Sequence, residues 1–337
     1  AISGFASSFA LVIAGLAAVG ASDRQAASGL LAVCLAIAAV SIVSALWLRV
    51  PLAIAWSTPG AAVLLAAVGA FLVSSGLVLL CGMWPALGRA ITGIPKPLAS
   101  ALLAGVLFPI CLAPIQAVAT LPLLAAPIVI VWLVLYRVAP RWAVPSAMVV
   151  AVVAILASAG TGWIFRADLQ PQLSFVVPTF DPLTMLSVGL PLFIVTMAGQ
   201  NVPGFVVLST NGYMPPPRFA LISTGLGSAA ASLFGGHQIN LGAITAAIMS
   251  GPDAHPDPRR RWVATLTNGI LYIPLGLGAG VAVALVAAAP SILITAVAGL
   301  AVMGALITSM VNALESAADR LAAILTFLVV ASGVEVA

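Results

Sequence analysis

The chain is a succession of apolar segments, separated from one another by glycine, proline or charged residues. The pattern predicts seven segments, then a more polar connector at residues 161–181, then six more segments. They are 5–21, 28–48, 54–67, 69–88, 96–118, 119–137 and 141–158, followed by 183–200, 218–234, 237–250, 261–288, 290–313 and 318–336. A helix that crosses about 30 Å of hydrocarbon needs roughly 20 residues. The third and tenth segments are therefore too short to cross as regular helices.

The second of these short segments carries polar side chains at membrane depth. A glycine pair at 235–236 loosens the chain, and three side chains able to hold a buried ligand follow: His237, Gln238 and Asn240. From Leu241 onward the pattern is apolar and compatible with a helix. Non-helical backbone at this depth is tolerated only where protein buries it or where it lines a wet cavity. Because transporters bind substrate at such breaks, we predict that residues 235–261 form half of a substrate site.

The first short segment offers the matching half. Its central residues are Ser57, Thr58, Pro59 and Gly60. Either hydroxyl side chain can cap a helix whose first turn holds the proline, and Asn240 is the corresponding cap candidate before Leu241. Two facing half-helices would each present unpaired N–H groups and roughly half a positive charge near the middle of the bilayer. We therefore predict that the ligand is an anion.

Charge and segment order indicate how the chain crosses the membrane. With the N-terminus in the cytoplasm, ten of the twelve Lys and Arg residues fall in cytoplasmic loops, as the positive-inside rule predicts. The exceptions are Arg24 and Arg166. The stretch 94–105 also resembles 289–299, and each opens the fifth segment of its half. Because the two copies would run in opposite directions, the pattern predicts an inverted repeat.

Composition excludes a soluble globular protein. Of the 337 residues, 63% are hydrophobic and 6% are charged, and the mean hydropathy is +1.24. This leaves too little polar surface to coat a soluble protein of this size, so we expect the lipid bilayer of the inner (plasma) membrane to surround the chain. The net charge of +4 reflects loop topology. No basic cluster with interleaved aromatic residues indicates nucleic-acid binding.

Titratable groups are scarce at the depth of the predicted site. The carboxylates fall in or beside loops or near the end of the sequence, so His237 is the candidate proton carrier. A neutral imidazole that hydrogen-bonds glycine-rich backbone is the alternative interpretation. In the eighth segment, Gln200 and Asn201 precede Pro203, which frees a backbone carbonyl. These two amides either contact substrate or join helices to one another.

The loop after the second short segment is also compatible with an enzyme. Asp253, His255 and Asp257 could hold a metal ion or a diphosphate in a membrane-embedded enzyme. Three prolines in the same loop and the lack of a second ligand cluster favour a stiff cytoplasmic turn instead. We therefore predict no metal and no cofactor. The three cysteines lack CxxC spacing and are predicted to be free thiols in apolar surroundings.

Four stretches together resemble the benzoate/proton symporter family of the BenE type. They are AWSTPGAA (55–62), TMAGQNVPGF (196–205), STNGY (209–213) and FGGHQINLGAITAAIMSGPDAHPDPRRRW (234–262). The resemblance covers nearly the whole chain and implies proton-coupled uptake of benzoate or a similar aromatic carboxylate. Carriage of another small anion, such as a dicarboxylate or sulfate, is the alternative. Related nucleobase and SLC26-type transporters imply an all-α membrane fold of seven plus seven inverted segments, with brief strands and half-helices in segments three and ten.

The resemblance also implies two domains. The core would comprise residues 1–93 and 182–289, and the gate 94–160 and 290–337, with 161–181 as the connector. Where the nucleobase relatives carry carboxylates in segments eight and ten, this chain has Gln200 and His237, which leaves the proton path open. The fourteenth segment is expected to be missing from the sequence, which stops where that segment would begin. Dimers occur among related transporters, which leaves a homodimer open, although no segment indicates an interface.

Overall fold

The computed structural model describes residues 21–57, 68–84, 95–160, 170–252 and 254–332, together with residues 5, 9, 12, 13, 15, 16 and 162. These residues are mostly helical. The helices are α1 (Asp23–Leu48), α2 (Val68–Met83), α3 (Lys96–Thr120), α4 (Pro122–Val138), α5 (Pro140–Ala159), α6 (Pro182–Thr210), α7 (Pro217–Ser232), α8 (Ala243–Ser250), α9 (Trp262–Leu277), α10 (Ala279–Ala288), α11 (Ser291–Leu314) and α12 (Arg320–Ala331). Two short strands, β1 (Ile54–Trp56) and β2 (Ile239–Leu241), and a 3₁₀ turn at Pro258–Arg260 complete the described elements.

Several helices have the length and composition of membrane spans. Among the described residues, α1, α3, α6 and α11 each pass this test alone, and α9 with α10 pass it together as a pair bent by 54°. The sequence predicts one continuous segment at 261–288, so the bend is a departure. Pro274 lies inside α9, and Gly278 separates the two helices. Proline and glycine are the usual causes of such a break.

The eighth predicted segment is longer than expected. The sequence predicts its end at residue 200, but α6 continues through Pro203 to Thr210, so that boundary is wrong. Two π-helical turns widen α6, at Met185–Gly189 and Met197–Asn201. Proline has no backbone N–H, so one carbonyl in the preceding turn receives no helical hydrogen bond. A π turn before the proline shifts the hydrogen-bond pattern by one residue, and this changes which carbonyl is left without a donor. The helix therefore widens just before Pro203, where the sequence predicts a freed carbonyl, and continues beyond it.

Polar side chains begin two of the long helices. Ser22 and Gln25 form a capping box at the start of α1, in which Ser22 Oγ accepts from Gln25 N at 3.3 Å and Ser22 N donates to Gln25 Oε1 at 2.9 Å. At the start of α6, the hydroxyl and then the backbone N–H of Thr184 donate to Asp181 and hold the pKa of that carboxyl below its usual range. These caps fix where each helix leaves its loop.

The helices pack in two groups. The helices α3, α4, α5, α11 and α12 pack against one another and are called the helical group below. The strand group consists of α1, α2, α6, α7, α8 and α9 around the two strands. The helix α10 touches members of both groups. The groups also meet where α3 packs against α6 at the π turn Met197–Asn201.

Two glycines allow unusually close approach around β2. A Cβ added to Gly29 of α1 would lie 2.4 Å from the carbonyl oxygen of Gly235, whose own φ of +80° favours glycine. A Cβ added to Gly204 of α6 would lie 2.9 Å from Leu241 Cβ. Small residues at such contacts let backbones pack closely within a membrane. They bring α1 close to the turn before β2 and α6 against β2 itself.

Candidate functional site

The strands β1 and β2 form an antiparallel pair inside the strand group. Ile54 lies opposite Leu241, Ala55 opposite Asn240 and Trp56 opposite Ile239. One further backbone bond extends the pair at each end. Ser57 N donates to Gln238 O at 2.7 Å, and Gly242 N donates to Ala53 O at 3.0 Å. The pair thus joins the two predicted short segments, which confirms that neither crosses the membrane as a regular helix.

Side chains from three helices bind the outer edges of this two-stranded pair. Ser228 Oγ of α7 accepts from Ile239 N at 2.9 Å and donates to Ile239 O at 3.1 Å. Asn201 Oδ1 of α6 accepts from Leu241 N at 3.0 Å. Asn268 Nδ2 of α9 donates to Ile54 O at 3.3 Å. A short strand has unpaired groups on its outer edge, and here buried polar side chains satisfy several of them.

Asn240 does not cap a helix, so that part of the prediction is wrong. It lies at the centre of β2, and Leu241, which the sequence places at the start of the half-helix, also belongs to the strand. The N-cap of α8 is Gly242, which offers no side-chain cap. Backbone pairing with β1 extends the strand to Leu241, so α8 begins later than predicted. The Asn240 side chain is fully buried and does not serve α8.

One face of the strand pair is polar. Successive side chains of an extended chain point to opposite faces, so Gln238 and Asn240 share a face with Ser57 of the facing strand. Thr196 of α6 bridges two of these residues, because its hydroxyl donates to Gln238 Oε1 at 2.9 Å and lies 3.2 Å from Ser57 Oγ. All four side chains are at most 1% exposed. The structure thus brings together Ser57 and Gln238, two of the candidate substrate-binding residues, and their role in binding stays a prediction.

The opposite face is aromatic. The Trp56 ring lies 6.4 Å from the His237 ring and 5.8 Å from the Tyr272 ring, the latter edge-on at 82°. The Phe5 ring lies 5.6 Å from Trp56 and stacks on Phe9 at 5.3 Å. These spacings are typical of favourable aromatic contacts. His237 therefore faces an aromatic cluster, whereas Gln238 and Asn240 face the polar side of the strand pair.

Several polar atoms of these buried residues have no hydrogen-bond partner within the described part of the chain. They are Nδ1 and Nε2 of His237, Nε2 of Gln238, and Oδ1 and Nδ2 of Asn240. An unpaired buried donor or acceptor costs about 1–3 kcal/mol, and folded proteins contain few of them. His237, Gln238 and Asn240 lie within four residues of one another, shortly before the N-terminal end of α8, and a polar ligand would complete the hydrogen bonding of such atoms.

The remaining predicted site residues lie in different surroundings. Thr58, Pro59 and Gly60 are outside the described residues. Gln200 is half-buried. Asn201 is fully buried, and in addition to its bond to Leu241 its Nδ2 lies 3.4 Å from Met197 Sδ. Asn201 therefore holds α6 against β2 through its Oδ1, while its Nδ2 bonds within α6, and this arrangement fits a supporting role for the residue.

The sequence analysis missed five residues that shape the site. They are Trp56, Thr196, Ser228, Asn268 and Tyr272. Asn268 could have been found, because an amide inside a long apolar segment is costly unless it has a partner. Thr196 and Ser228 could not have been found in this way, because serine and threonine side chains in membrane helices commonly bond to the backbone of their own helix.

The loop between α8 and α9 is a hydrogen-bonded turn. His255 Nδ1 accepts from Asp257 N at 3.0 Å, and Arg259 N donates to Asp257 Oδ1 at 2.9 Å. Arg261 is 8% exposed and donates to the carbonyls of Ser250 and His255. Asp253 lies outside the described residues, and the rest of the described chain contains no group of three or more His, Cys, Asp or Glu side chains suited to a metal ion.

Comparison with known proteins identifies the family. A protein-family model for the benzoate membrane transport protein, BenE, matches residues 1–337. The chain belongs to the BenE family. This BenE-family chain is 38% identical over 345 aligned positions to the inner membrane protein YdcO of Escherichia coli (strain K12), a match that covers 98% of this chain and 87% of YdcO. It is 30% identical over 324 positions to the benzoate membrane transport protein of Acinetobacter baylyi (strain ATCC 33305 / BD413 / ADP1), covering 93% of this chain and 82% of that protein.

A solved structure shows the same fold. The transmembrane domain of a cyanobacterium bicarbonate transporter, BicA, superimposes with a TM-score of 0.58 and 18% sequence identity, covering 98% of this BenE-family chain and 97% of that domain. This confirms the predicted helical membrane fold. The protein is a multi-pass inner-membrane transporter of the BenE family and is not an enzyme, so the enzyme alternative considered for the Asp253–Asp257 loop is set aside.

Proposed function

We propose that this protein takes up benzoate, or a similar aromatic carboxylate, together with a proton by alternating access. The observation that carries the proposal is a set of polar atoms on the paired strands that have no partner within the described residues: those of Gln238 and Asn240 at the polar face and those of His237 at the aromatic face. An aromatic carboxylate has one anionic end and one apolar ring, so it suits both. The name of the Acinetobacter baylyi relative supports benzoate as the substrate.

The carboxylate end would bind to amide donors. Because Thr196 donates to Gln238 Oε1, that amide is oriented with its Nε2 available as a donor. Asn240 supplies a second N–H₂ group, two residues further along β2. The N-terminus of α8 begins directly after the strand and adds a partial positive charge. Hydrogen bonds from these groups to an anion would be charge-assisted and therefore stronger than neutral ones.

His237 would carry the proton. The ring is fully buried, and a charged imidazolium in that position needs an anion beside it. A bound carboxylate would supply that charge, so substrate and proton would each favour binding of the other. Such coupling is what symport requires. The proposal therefore places the proton on the residue whose two ring nitrogens have no partner within the described residues.

Alternating access would use the two packing groups. We assign the strand group to a core formed by residues 1–93 and 182–289, and the helical group to a gate formed by 94–160 and 290–337. The antiparallel pairing of β1 with β2 fits two inverted halves that meet at the site. The distribution of basic residues supports a cytoplasmic N-terminus.

Uptake by the purified protein in liposomes tests the proposal. Radiolabelled benzoate should accumulate when the interior is alkaline, and an uncoupler should collapse the accumulation. Uptake that ignores the proton gradient would contradict symport while leaving benzoate transport in place. Vesicles without protein are the control for passive entry of neutral benzoic acid.

Competition separates benzoate from other anions. An excess of unlabelled benzoate should suppress uptake of the label, whereas equal concentrations of sulfate or succinate should not. Suppression by sulfate or succinate, with little effect of benzoate, would favour the alternative of an inorganic anion or dicarboxylate carrier.

A further inference from the structure

A cleft of about 590 Å³ lies on the arginine-bearing side of the strand group, apart from the polar and aromatic faces of the strand pair. Its walls are the end of α8, the loop before α9 and one side of α9. Five of its lining residues occur at the spacing of a single helix face: Val263, Ala264, Thr267, Asn268 and Leu271. The volume lies within the range usual for small-molecule sites.

Most of the side chains that line the cleft are apolar, and its loop end, called the mouth below, carries the exposed cationic side chain of Arg260. Ile248 and Met249 of α8 line the cleft together with the apolar positions of α9, and His255 lines it from the loop. The Arg260 Nε lies 3.9 Å from a carboxylate oxygen of Asp257, and both side chains are largely exposed. An exposed ion pair of this length contributes little. A ligand carboxylate could therefore replace Asp257 as the partner of Arg260 at small cost.

The mouth of the cleft has a fixed shape because the loop is tied down. Arg261 Nη1 donates to Ser250 O at 2.7 Å and its Nε donates to His255 O at 2.8 Å, which binds the loop to the end of α8. Tyr213 Oη donates to Pro258 O at 2.7 Å, which binds it to the chain after α6. Arg260 is thus held beside the cleft by its neighbours in the loop.

The inner end of the cleft reaches the support of the strand pair. Asn268 lines the cleft, is 4% exposed, and donates through Nδ2 to the carbonyl oxygen of Ile54. The cleft therefore extends from an exposed arginine to a buried amide that holds β1. A ligand in the cleft would contact the same asparagine that positions this strand.

We propose that this cleft is a second carboxylate site, separate from the strand-pair site, which holds an aromatic carboxylate with its ring between α8 and α9 and its carboxylate at Arg260. The class of ligand rests on the proposed function. The apolar walls match the ring, and the cationic mouth matches the single negative charge. With the basic loop in the cytoplasm, the site would hold substrate on the cytoplasmic side.

Cysteine protection tests this site directly. The native cysteines Cys34, Cys81 and Cys111 are all buried and free, so an introduced thiol dominates labelling by a maleimide in detergent. Thr267→Cys places a thiol in the cleft with little change in size. Ile270→Cys, on another side of α9, is the matched control and is half exposed. Benzoate should slow labelling at position 267 severalfold and leave the rate at position 270 unchanged.

Two further variants distinguish protection by benzoate bound in the cleft from an indirect effect of benzoate bound at the strand pair. In the Thr267→Cys background, Arg260→Gln should raise the half-protecting benzoate concentration about tenfold, because a charge-assisted hydrogen bond is lost. Asn240→Leu in the same background should leave protection unchanged. Loss of protection in the Asn240→Leu variant would overturn the proposal, since protection would then report binding at the strand pair.

Three other outcomes also support or overturn the cleft site. Absence of benzoate protection, in protein that accumulates benzoate in liposomes, would overturn the cleft site and leave the proposed function standing. Protection by added phosphatidylglycerol but not by benzoate would overturn it in favour of a lipid site. Benzoate protection in protein that shows no benzoate uptake would support the cleft site while the proposed function fails.

Discussion

The strand group buries polar side chains on every one of its helices, whereas in the described part of the helical group the buried side chains with a polar nitrogen or oxygen are Ser309 of α11 and Trp132 of α4. The helical group is packed through apolar and small residues. A Cβ on Gly299 of α11, for example, would lie 2.4 Å from Ile110 O of α3. The segments that form the two groups are similarly hydrophobic in the sequence. The two groups differ in the side chains that they bury.

This difference shows that the energetic cost of burying polar groups falls mainly on the strand group. Polar groups buried at membrane depth are expensive and usually mark a functional path or site. In the strand group, hydrogen bonds from Thr196, Asn201 and Ser228 offset part of the cost. In the described part of the strand group, the buried polar atoms without a partner belong to Ser41, Ser74, His237, Gln238 and Asn240. In the described part of the helical group, Trp132 Nε1 is the one such atom.

The substitution His237→Gln should have the largest functional effect. Glutamine keeps a hydrogen-bonding side chain but does not titrate near neutrality. We expect the variant to bind and exchange benzoate but to lose accumulation driven by a proton gradient, and the pH dependence of binding to flatten between about pH 5.5 and 7.5. Liposome uptake and counterflow measure the two activities separately. A variant that concentrates benzoate as well as the parent would make His237 structural, and the proton would then travel on benzoic acid itself or through a water chain.

The substitution Asn240→Leu should lower affinity without lowering stability. Its two side-chain polar atoms have no described partner, so an apolar side chain of similar size removes a cost from the folded state. Loss of a hydrogen bond to a charged ligand costs about 1.5–3 kcal/mol, so we expect at least a roughly tenfold rise in the benzoate Kd. Binding and thermal unfolding in detergent provide both measurements. Unchanged affinity would move the carboxylate away from β2.

The substitution Asn201→Leu should have the opposite signature. Asn201 already accepts from Leu241 N, and without it that buried N–H loses its partner. We expect a stability loss of about 1–3 kcal/mol, seen as a lower unfolding temperature, with weaker transport as a consequence. If this variant matched Asn240→Leu in both stability and affinity, the distinction between a supporting amide and a ligand-binding amide would fail.

The smallest effect is expected in the helical group. Ser309→Ala should change stability by no more than about 0.5 kcal/mol and leave benzoate uptake unchanged. The same change at Ser228, which bonds both backbone groups of Ile239, should lower stability and uptake. Parallel unfolding and uptake measurements on the two alanine variants compare the groups directly. Equal losses would show that buried hydroxyls support both groups alike.

Much of the architecture follows from the sequence alone. Segment lengths and punctuation predict most helices to within a few residues, because a membrane span must be long, apolar and continuous. The shortness of 54–67 and 237–250 predicts a non-helical stretch in each segment, and the structure confirms both stretches as paired strands. The predicted inverted repeat and its division into core and gate stay predictions.

Details of the site depend on contacts that a sequence does not display. A cap residue and a strand residue have similar local sequence patterns, so the sequence predicts Asn240 at a helix start, and its pairing with Ala55 reveals the strand. The alternation of side chains that separates His237 from Gln238 depends on the same pairing. Thr196 and Ser228 are ordinary in membrane helices until their partners on β2 and the chain before it are known.

The pairing of β1 with β2 also constrains how the protein is made. The bond from Asn268 to the carbonyl of Ile54 joins positions 214 residues apart, and β1 leaves the ribosome long before its partner strand is synthesised. Until then its backbone groups cannot be satisfied by β2, and exposure to lipid would cost several kcal/mol for each group. During insertion, the backbone of β1 must therefore be surrounded by protein or water, and the strand pair forms only after the second half of the chain has been synthesised.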